Sequence, residues 1–174
     1  MMIKSKIWII AAAALSVGIA ARAQSPNDGQ IAAIVVTANQ VDIDAGKLAE
    51  STGSNPQVKA FGKQMVADHS GVNKEAAKLV TRLGVKPEDS PTAQAIKSGG
   101  AQNVNHLKQL DGAAFDKAYI DHEVVYHQQV LDALDKTLIP SAKNQELKAL
   151  LVKVRPAFVA HLEHAKQIQA SLGK

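Results

Sequence analysis

The sequence predicts an all-α protein built as a four-helix bundle. Four long segments carry apolar residues at the three- and four-residue spacing of amphipathic helices, and proline, glycine and asparagine mark their ends. The chain has no cysteine and only 3% aromatic residues, so disulfides cannot stabilise it and Leu, Val, Ile and Ala must fill its core. A core of this composition favours close-packed helices over a β-sandwich.

Residues 1–23 are predicted to be a cleavable signal peptide. Two lysines precede an apolar run over residues 7–20, and Ala21-Arg22-Ala23 has the small-residue pattern of a cleavage site. An uncleaved membrane anchor is the alternative, but the run is short for a membrane span of about 20 residues. We therefore expect an exported, periplasmic protein that begins at Gln24 and has no transmembrane segment after cleavage.

The charge of the chain gives no sign of a nucleic-acid partner. The whole chain has 20 basic and 16 acidic residues and a net charge of +4. The predicted signal peptide contains three of the basic residues and no acidic one, so cleavage leaves 17 basic against 16 acidic residues, a net charge of +1. A clustered basic face, which nucleic-acid binding requires, is absent from the pattern. We expect no nucleic-acid partner.

The predicted bundle follows the signal peptide with little intervening chain. Residues 24–29 read as a short polar linker, and residues 30–174 are predicted to form one bundle domain. Helix 1 is predicted over about 30–52, because its apolar positions repeat every three or four residues until Gly53.

Helix 2 has the clearest boundaries in the sequence. Ser54 or Asn55 is a suitable N-cap, and Pro56 occupies the first helical position, where its missing N–H is not needed. Gly84 is the expected C-cap, since glycine readily adopts the left-handed conformation that ends a helix.

A long connection separates helix 2 from helix 3. It covers residues 85–111 and is punctuated by Ser90-Pro91 and Gly99-Gly100. Two short helices are predicted in it, near 92–98 and 101–109. A connection of this length allows the chain to cross the end of a bundle instead of making a tight hairpin.

The last two helices complete the bundle. Helix 3 is predicted over 113–137, and Pro140 and Ser141 are expected to break the chain after it. Helix 4 is predicted over 144–172. Pro156 lies inside helix 4 and should kink it, because proline removes a backbone donor and crowds the preceding turn.

Three histidines lie at the centre of the apolar faces of three different predicted helices: His69, His127 and His161. A buried imidazole without a partner carries a desolvation cost, so unpartnered histidines are rare in protein cores. Imidazole is also a common metal ligand. Antiparallel helices can bring the three to a similar level, and we predict that they meet in the core as a possible metal site.

Carboxylates of two helices are candidates to complete this site. Glu123 falls inside the apolar stripe of helix 3, one turn before His127. Asp42 and Asp44 lie on opposite flanks of the helix 1 stripe, and Ile43 between them is expected to face away from it. Solvated residues at the edge of the stripe are the alternative interpretation of the two aspartates, and a buried hydrogen bond to His127 or Tyr119 is the alternative for Glu123.

The remaining polar residues fit the pattern less well. His164 lies off the centre of the helix 4 stripe and is expected at the surface, while His106 and His122 have no supporting pattern. Asp68 is either an acceptor for the neighbouring His69 or a charge at the helix boundary.

Several motifs, in order, resemble a bacterial exported family that is described as domain of unknown function 4142. The segments that carry the resemblance are Asp42–Ala49, Asn55–Gly62, Met65–Ser70, Gly112–Tyr119, His127, Arg155-Pro156 and His161-Leu162. The resemblance covers about residues 30–172 and implies a ferritin-like four-helix bundle, which agrees with the predicted helices and the long connection between helices 2 and 3. It implies family histidines at positions 69, 127 and 161 and acidic residues at 42 and 44, does not extend to Glu123, and implies no particular reaction.

The chain departs from the pattern of ferritin di-iron sites, which need a Glu-x-x-His pair on each of two helices. No Glu-x-x-His occurs in this sequence. Three histidines and a carboxylate better suit a single Zn, Cu or Fe ion. We therefore hypothesise a bundle that binds one transition-metal ion in its core.

Two alternatives to metal binding remain open. One is a non-enzymatic structural or interaction protein that binds an envelope partner and whose histidines form a polar network. The other is a metal-dependent enzyme, for which no nucleophile motif, phosphate loop or H-E-x-x-H motif is present.

Overall fold

The computed structural model describes residues 25–173, and the predicted signal peptide, its cleavage site and Gln24 lie outside these residues. The described residues are helical with no strand, so the predicted all-α class is confirmed. Five helices dominate: α1 (Asp28–Thr52), α2 (Pro56–Leu83), α3 (Pro91–Leu107), α4 (Gly112–Ala133) and α5 (Gln145–Leu172). No helix among the described residues has both the length and the hydropathy needed to cross a membrane.

Helix α1 begins at Asp28, two residues inside the segment predicted to be a linker. The cause is a capping box: the Asn27 side chain accepts from the backbone N–H of Gln30, and the Gln30 side chain accepts from the backbone N–H of Asn27. Two otherwise unpaired donors are thereby satisfied, which makes the additional helical turn stable.

The predicted boundaries of α2 are confirmed. Asn55 caps the helix through Gln57 N–H, Pro56 opens it, and Gly84 ends it with a φ of 67°. The three-residue turn before α2 folds it back against α1. A Cβ added at Gly62 would lie 2.7 Å from the carbonyl oxygen of Gly46, so the two helices approach as closely as they do because both positions are glycine.

The connection after α2 differs from the prediction. A single helix, α3, replaces the two predicted short helices and continues through Gly99 and Gly100. Ser90 caps it and Pro91 opens it. Gly100 contacts Val41 of α1 so closely that no Cβ would fit there, which explains why a helix-weakening residue lies in the middle of this helix.

Helix α3 runs along the outside of α1 in the same direction, instead of crossing the end of the molecule. Its first turn packs in the same hydrophobic cluster as the first turns of α1, and its last turn packs with the C-terminal half of α1. The chain then turns at Lys108–Asp111 and returns as α4, antiparallel to α1.

The expected break at Pro140 and Ser141 occurs slightly later. After Ala133 the chain continues through a π-helical turn, Leu134–Leu138, and a short helical segment, Ile139–Ser141, and it becomes extended only at Ala142. Pro140 is tolerated because it lies in the first turn of that segment. Helix α5 is continuous through Pro156, so the chain remains helical at the position of the predicted kink.

The helices enclose two hydrophobic clusters separated by a layer of polar side chains. Along α2, for example, Met65 belongs to one cluster and Ala76 to the other, and His69 lies between them. Ion pairs between Arg82 and Glu146 and between Arg155 and Asp135 connect α5 to α2 and to the π-helical turn that follows α4. Each of the four helices α1, α2, α4 and α5 contributes to the polar layer.

Candidate metal centre

The three predicted histidines meet in the buried layer between the two clusters. The ring centroids of His69 and His127 are 5.8 Å apart, those of His69 and His161 5.3 Å, and those of His127 and His161 5.4 Å. One ring nitrogen from each of the three lies within 4.8 Å of the others. The ring of Phe158 packs against His69 at 5.2 Å and closes one side with an apolar wall. The predicted convergence of the three histidines is therefore observed.

The orientation of His69 is set by two asparagines. Its Nδ1 donates to Asn39 Oδ1 at 2.8 Å, and Asn39 Nδ2 donates to Asn73 Oδ1 at 2.9 Å. Asn73 in turn donates to the carbonyl oxygen of Val36 at 3.4 Å. This chain leaves Asn39 Oδ1 as the acceptor, so the proton of His69 lies on Nδ1 and Nε2 faces the centre.

The other two histidines are oriented in the same manner. His127 Nδ1 donates to the backbone carbonyl oxygen of Glu123 at 3.0 Å, and His161 Nε2 donates to Asp68 Oδ2 at 3.0 Å. Burial is the largest cause that lowers the pKa of His161, to about 4, and the nearby His69 and His127 add to the effect while Asp68 opposes it. At neutral pH His161 is therefore neutral, and its Nδ1 has a free lone pair.

The inward nitrogens of the three rings have no hydrogen-bond partner among the described residues. They are His69 Nε2, His127 Nε2 and His161 Nδ1, and all three are buried. Buried polar atoms are normally hydrogen-bonded, and three unpaired acceptors that face one point are costly. In metal sites, each ligating histidine donates its other ring N–H to an oxygen, which is the arrangement of these three side chains.

Asp42 of α1 adds a negative charge to the centre. It is 1% exposed, and its Oδ2 lies 3.0 Å from His69 Nε2 and 3.5 Å from His127 Nε2, without the direction of a hydrogen bond in either case. Burial would raise the pKa of the Asp42 carboxyl, but the facing imidazoles of His69 and His127 outweigh it and lower that pKa to about 2. The carboxylate is thus ionised and buried, so the alternative interpretation of Asp42 as a solvated residue is wrong.

Glu123 lies beside Asp42 on the other side of His127. Its Oε2 is 3.3 Å from His127 Nδ1, and neither carboxyl oxygen has a hydrogen-bond partner among the described residues. Burial, followed by the negative charge of Asp42, raises the pKa of Glu123 well above its usual value. The hydroxyl of Tyr119, one turn earlier on α4, is also buried and unpartnered. Asp42, Glu123 and His127 each offer a ligand atom within 4.8 Å of one another.

The remaining sequence candidates lie away from the centre. Asp44 is exposed and accepts from Gln40 at 2.9 Å, so the structure does not bring it to the histidines. Ile43, which was expected to face away from the helix 1 stripe, is buried. Asp68 accepts from His161 on α5 and not from the adjacent His69.

The other histidines do not join the centre either. His106 is exposed, and His122 stacks on Tyr126 at 5.6 Å. His164 is half-buried and packs its ring edge against Phe61, so the expectation that it lies at the surface is only partly met.

Sequence reasoning missed two asparagines that orient His69. Asn39 lies one turn before Asp42 and is 1% exposed. A polar residue one helical turn from an aspartate that is a candidate to face the core is the feature of the sequence that could have identified Asn39. Asn73 is one turn after His69 on α2 and offered the same signal.

The donor set is suited to a divalent transition-metal ion. Imidazole nitrogens and a carboxylate oxygen bind such ions at about 2.0–2.2 Å, which places neighbouring ligand atoms of a tetrahedral site roughly 3.3 Å apart. The Asp42 oxygen lies close to that separation from both His69 and His127. The inward ring nitrogens and the Asp42 carboxylate are electron-pair donors without a hydrogen-bond partner among the described residues, so they fit a cation.

The chain belongs to the family described as Domain of unknown function (DUF4142), whose model matches residues 14–168. No curated protein and no solved structure matches the chain.

Proposed function

We propose that the protein binds one transition-metal ion in its core through His69, His127 and His161. The observation that carries the proposal is that the outward nitrogen of each ring donates to an oxygen while the inward nitrogen is buried and unpartnered. This arrangement selects the tautomer in which the inward nitrogen carries a lone pair and no proton.

Asp42 is the proposed fourth ligand. Its carboxylate is buried, ionised and directed at the same centre as His69 and His127. Glu123 stands next to this set and can enter the coordination shell or hold a proton beside it. Asp44 is not part of the proposed site, because it is exposed.

The proposed ion is Zn, Cu or Fe. The site offers nitrogen and oxygen donors and no thiolate, and imidazole suits all three metals. With one metal ion at this site, the protein would serve as a metal-binding protein or have a simple role in redox protection. Catalysis would require an open coordination position and access for a substrate, and no observation favours an enzyme.

We further propose a ferritin-like four-helix bundle of α1, α2, α4 and α5, with α3 as the long connection that runs along its outside. The ion pairs and shared clusters between neighbouring helices support this arrangement. The features of residues 1–23 support export to the periplasm of a bacterium.

The competing function of these side chains is a structural polar network in a protein that binds an envelope partner. In that case a proton, and not a metal ion, lies between His69 and Asp42. Both functions predict that the three histidines are buried, so burial cannot separate them.

Elemental analysis of the protein, purified from the periplasm without chelator or affinity tag, separates the two. The proposal predicts close to one Fe, Cu or Zn per chain, lost in His161→Ala and retained in His164→Ala, a matched control one turn later on α5. A metal-free protein that also takes up no added metal would leave the polar network as the function of the histidines.

A further inference from the structure

A groove separates α3 from α1 on the outside of the molecule, away from the histidines. Its volume is about 830 Å³, within the roughly 300–1,000 Å³ typical of small-molecule sites. The groove follows α3 from Lys97 to Lys108, the residue just after the helix, a length of about 17 Å at 1.5 Å per residue. The groove is therefore elongated.

The groove is lined by apolar residues together with the polar Thr37, Gln40, Ser51 and Asn105, and three lysines lie along it. Val36, Leu48 and Val104 contribute half-buried apolar side chains, and Gly100 lets α3 approach α1 at Val41. The exposed cations are Lys47, Lys97 and Lys108, and none of them has a carboxylate partner within 4.0 Å among residues 25–173. Asp44 is the acidic residue of the groove, and Gln40 already donates to it.

We propose that this groove binds a single-chain anionic amphiphile, such as a fatty acid, with the acyl chain along the groove and the acid group at the lysines of one of its ends. Each buried CH₂ contributes about 0.8 kcal/mol, so an acyl chain of matching length supplies the affinity and the lysines supply the preference for an anion. Residues 1–24 are a poor occupant, because their apolar run is flanked by basic residues and contains no acid. The proposal does not depend on the metal centre.

Calorimetric titration of the full chain with dodecanoate, below its micelle concentration, tests the proposal. Dodecanoate is expected to bind one per chain. Dodecyl maltoside, which has the same chain and no charge, should bind at least 10-fold more weakly, as should butyrate, which has the charge and no long chain. A lysophosphatidylglycerol titration shows whether the head group is a carboxylate or a lipid phosphate.

Two variants locate the site. Ala101 is exposed in the groove wall, so Ala101→Trp fills the groove without a change in the core and should weaken dodecanoate binding at least 10-fold. The triple variant Lys47→Ala/Lys97→Ala/Lys108→Ala should weaken it similarly. Its matched control removes three exposed lysines of α2: Lys63→Ala/Lys74→Ala/Lys78→Ala.

The groove variants should have the same thermal unfolding temperature and metal content as the unmodified chain. A loss of dodecanoate binding in these variants is then not the result of a folding defect. The proposal is overturned if dodecanoate does not bind, if Ala101→Trp binds it as well as the unmodified chain does, or if the α2 control weakens binding as much as the groove triple variant.

Discussion

His69 Nε2 and Asp42 Oδ2 lie 3.0 Å apart in the core, and both side chains are 1% exposed. Asn39 holds the ring proton of His69 on the opposite nitrogen, so two lone pairs face each other across this contact unless a cation lies near them. A proton on Nε2 or a metal ion satisfies both atoms. The predictions on metal binding that follow separate these two cases.

Asp42→Asn should weaken metal binding by more than about 100-fold, because loss of an outer hydrogen-bond partner alone costs 10–100-fold and Asp42 is proposed to be a ligand. Asp44→Asn is the matched control, since Asp44 is exposed two residues away on the same helix. Competition with a chelator of known affinity measures both. Equal effects of the two substitutions would show that α1 influences the centre only through its overall charge.

Asp68→Ala should weaken metal binding by about 10–100-fold without direct contact to the ion. Asp68 holds the Nε2 proton of His161, and without it the ring can rotate or change tautomer. Asp132→Ala removes another exposed aspartate that accepts from Gln128 and Lys136, and it should leave affinity unchanged. If Asp68→Ala binds metal as tightly as the unmodified protein, His161 does not need this partner for its orientation.

Added metal should raise the thermal unfolding temperature. A ligand at 100 times its dissociation constant stabilises the folded state by about 2.7 kcal/mol, which corresponds to roughly 5–10 °C for a chain of this size. The double variant His69→Ala/His161→Ala should show no such rise. Differential scanning calorimetry measures the unfolding temperature of both proteins. A comparable rise in the double variant would place the bound metal elsewhere in the chain.

Two glycines of α2 should respond oppositely to alanine. Gly62→Ala places a Cβ 2.7 Å from the Gly46 carbonyl oxygen and should destabilise the fold by about 1–3 kcal/mol. Gly71→Ala meets nothing within 4 Å and should stabilise it by about 0.5–1 kcal/mol, because alanine restricts the unfolded chain and favours the helix. Urea unfolding measures both free energies. If both variants were stabilised, the close approach of α1 and α2 at Gly46 would be contradicted.

The sequence predicted the histidines well and the carboxylates only in part. A helical wheel identifies a core-facing histidine from its own helix, and His69, His127 and His161 satisfied that test. Asp42 and Asp44 lie on opposite flanks of one stripe, and which flank is buried depends on how α2 and α4 pack against α1. That information belongs to the tertiary structure, so periodicity alone could not choose between them.

The sequence likewise predicted some helix boundaries correctly and others not. The α2 boundaries follow from local capping chemistry at Asn55 and Gly84, which the sequence states directly. Gly99-Gly100 reads as a break by propensity, yet α3 continues through it, and Gly100 leaves the space that Val41 of α1 occupies. The reason for a glycine at position 100 is a contact between residues far apart in the chain, which the local sequence does not state.

X-ray absorption spectroscopy of the metal-loaded protein tests the central claim most directly. We expect three imidazole ligands and one oxygen ligand at about 2.0–2.2 Å in the unmodified protein and in His164→Ala, and no such spectrum in His161→Ala, which does not retain the metal. A bound metal without histidine scattering, or a spectrum that is the same in all three proteins, would contradict a centre formed by His69, His127 and His161.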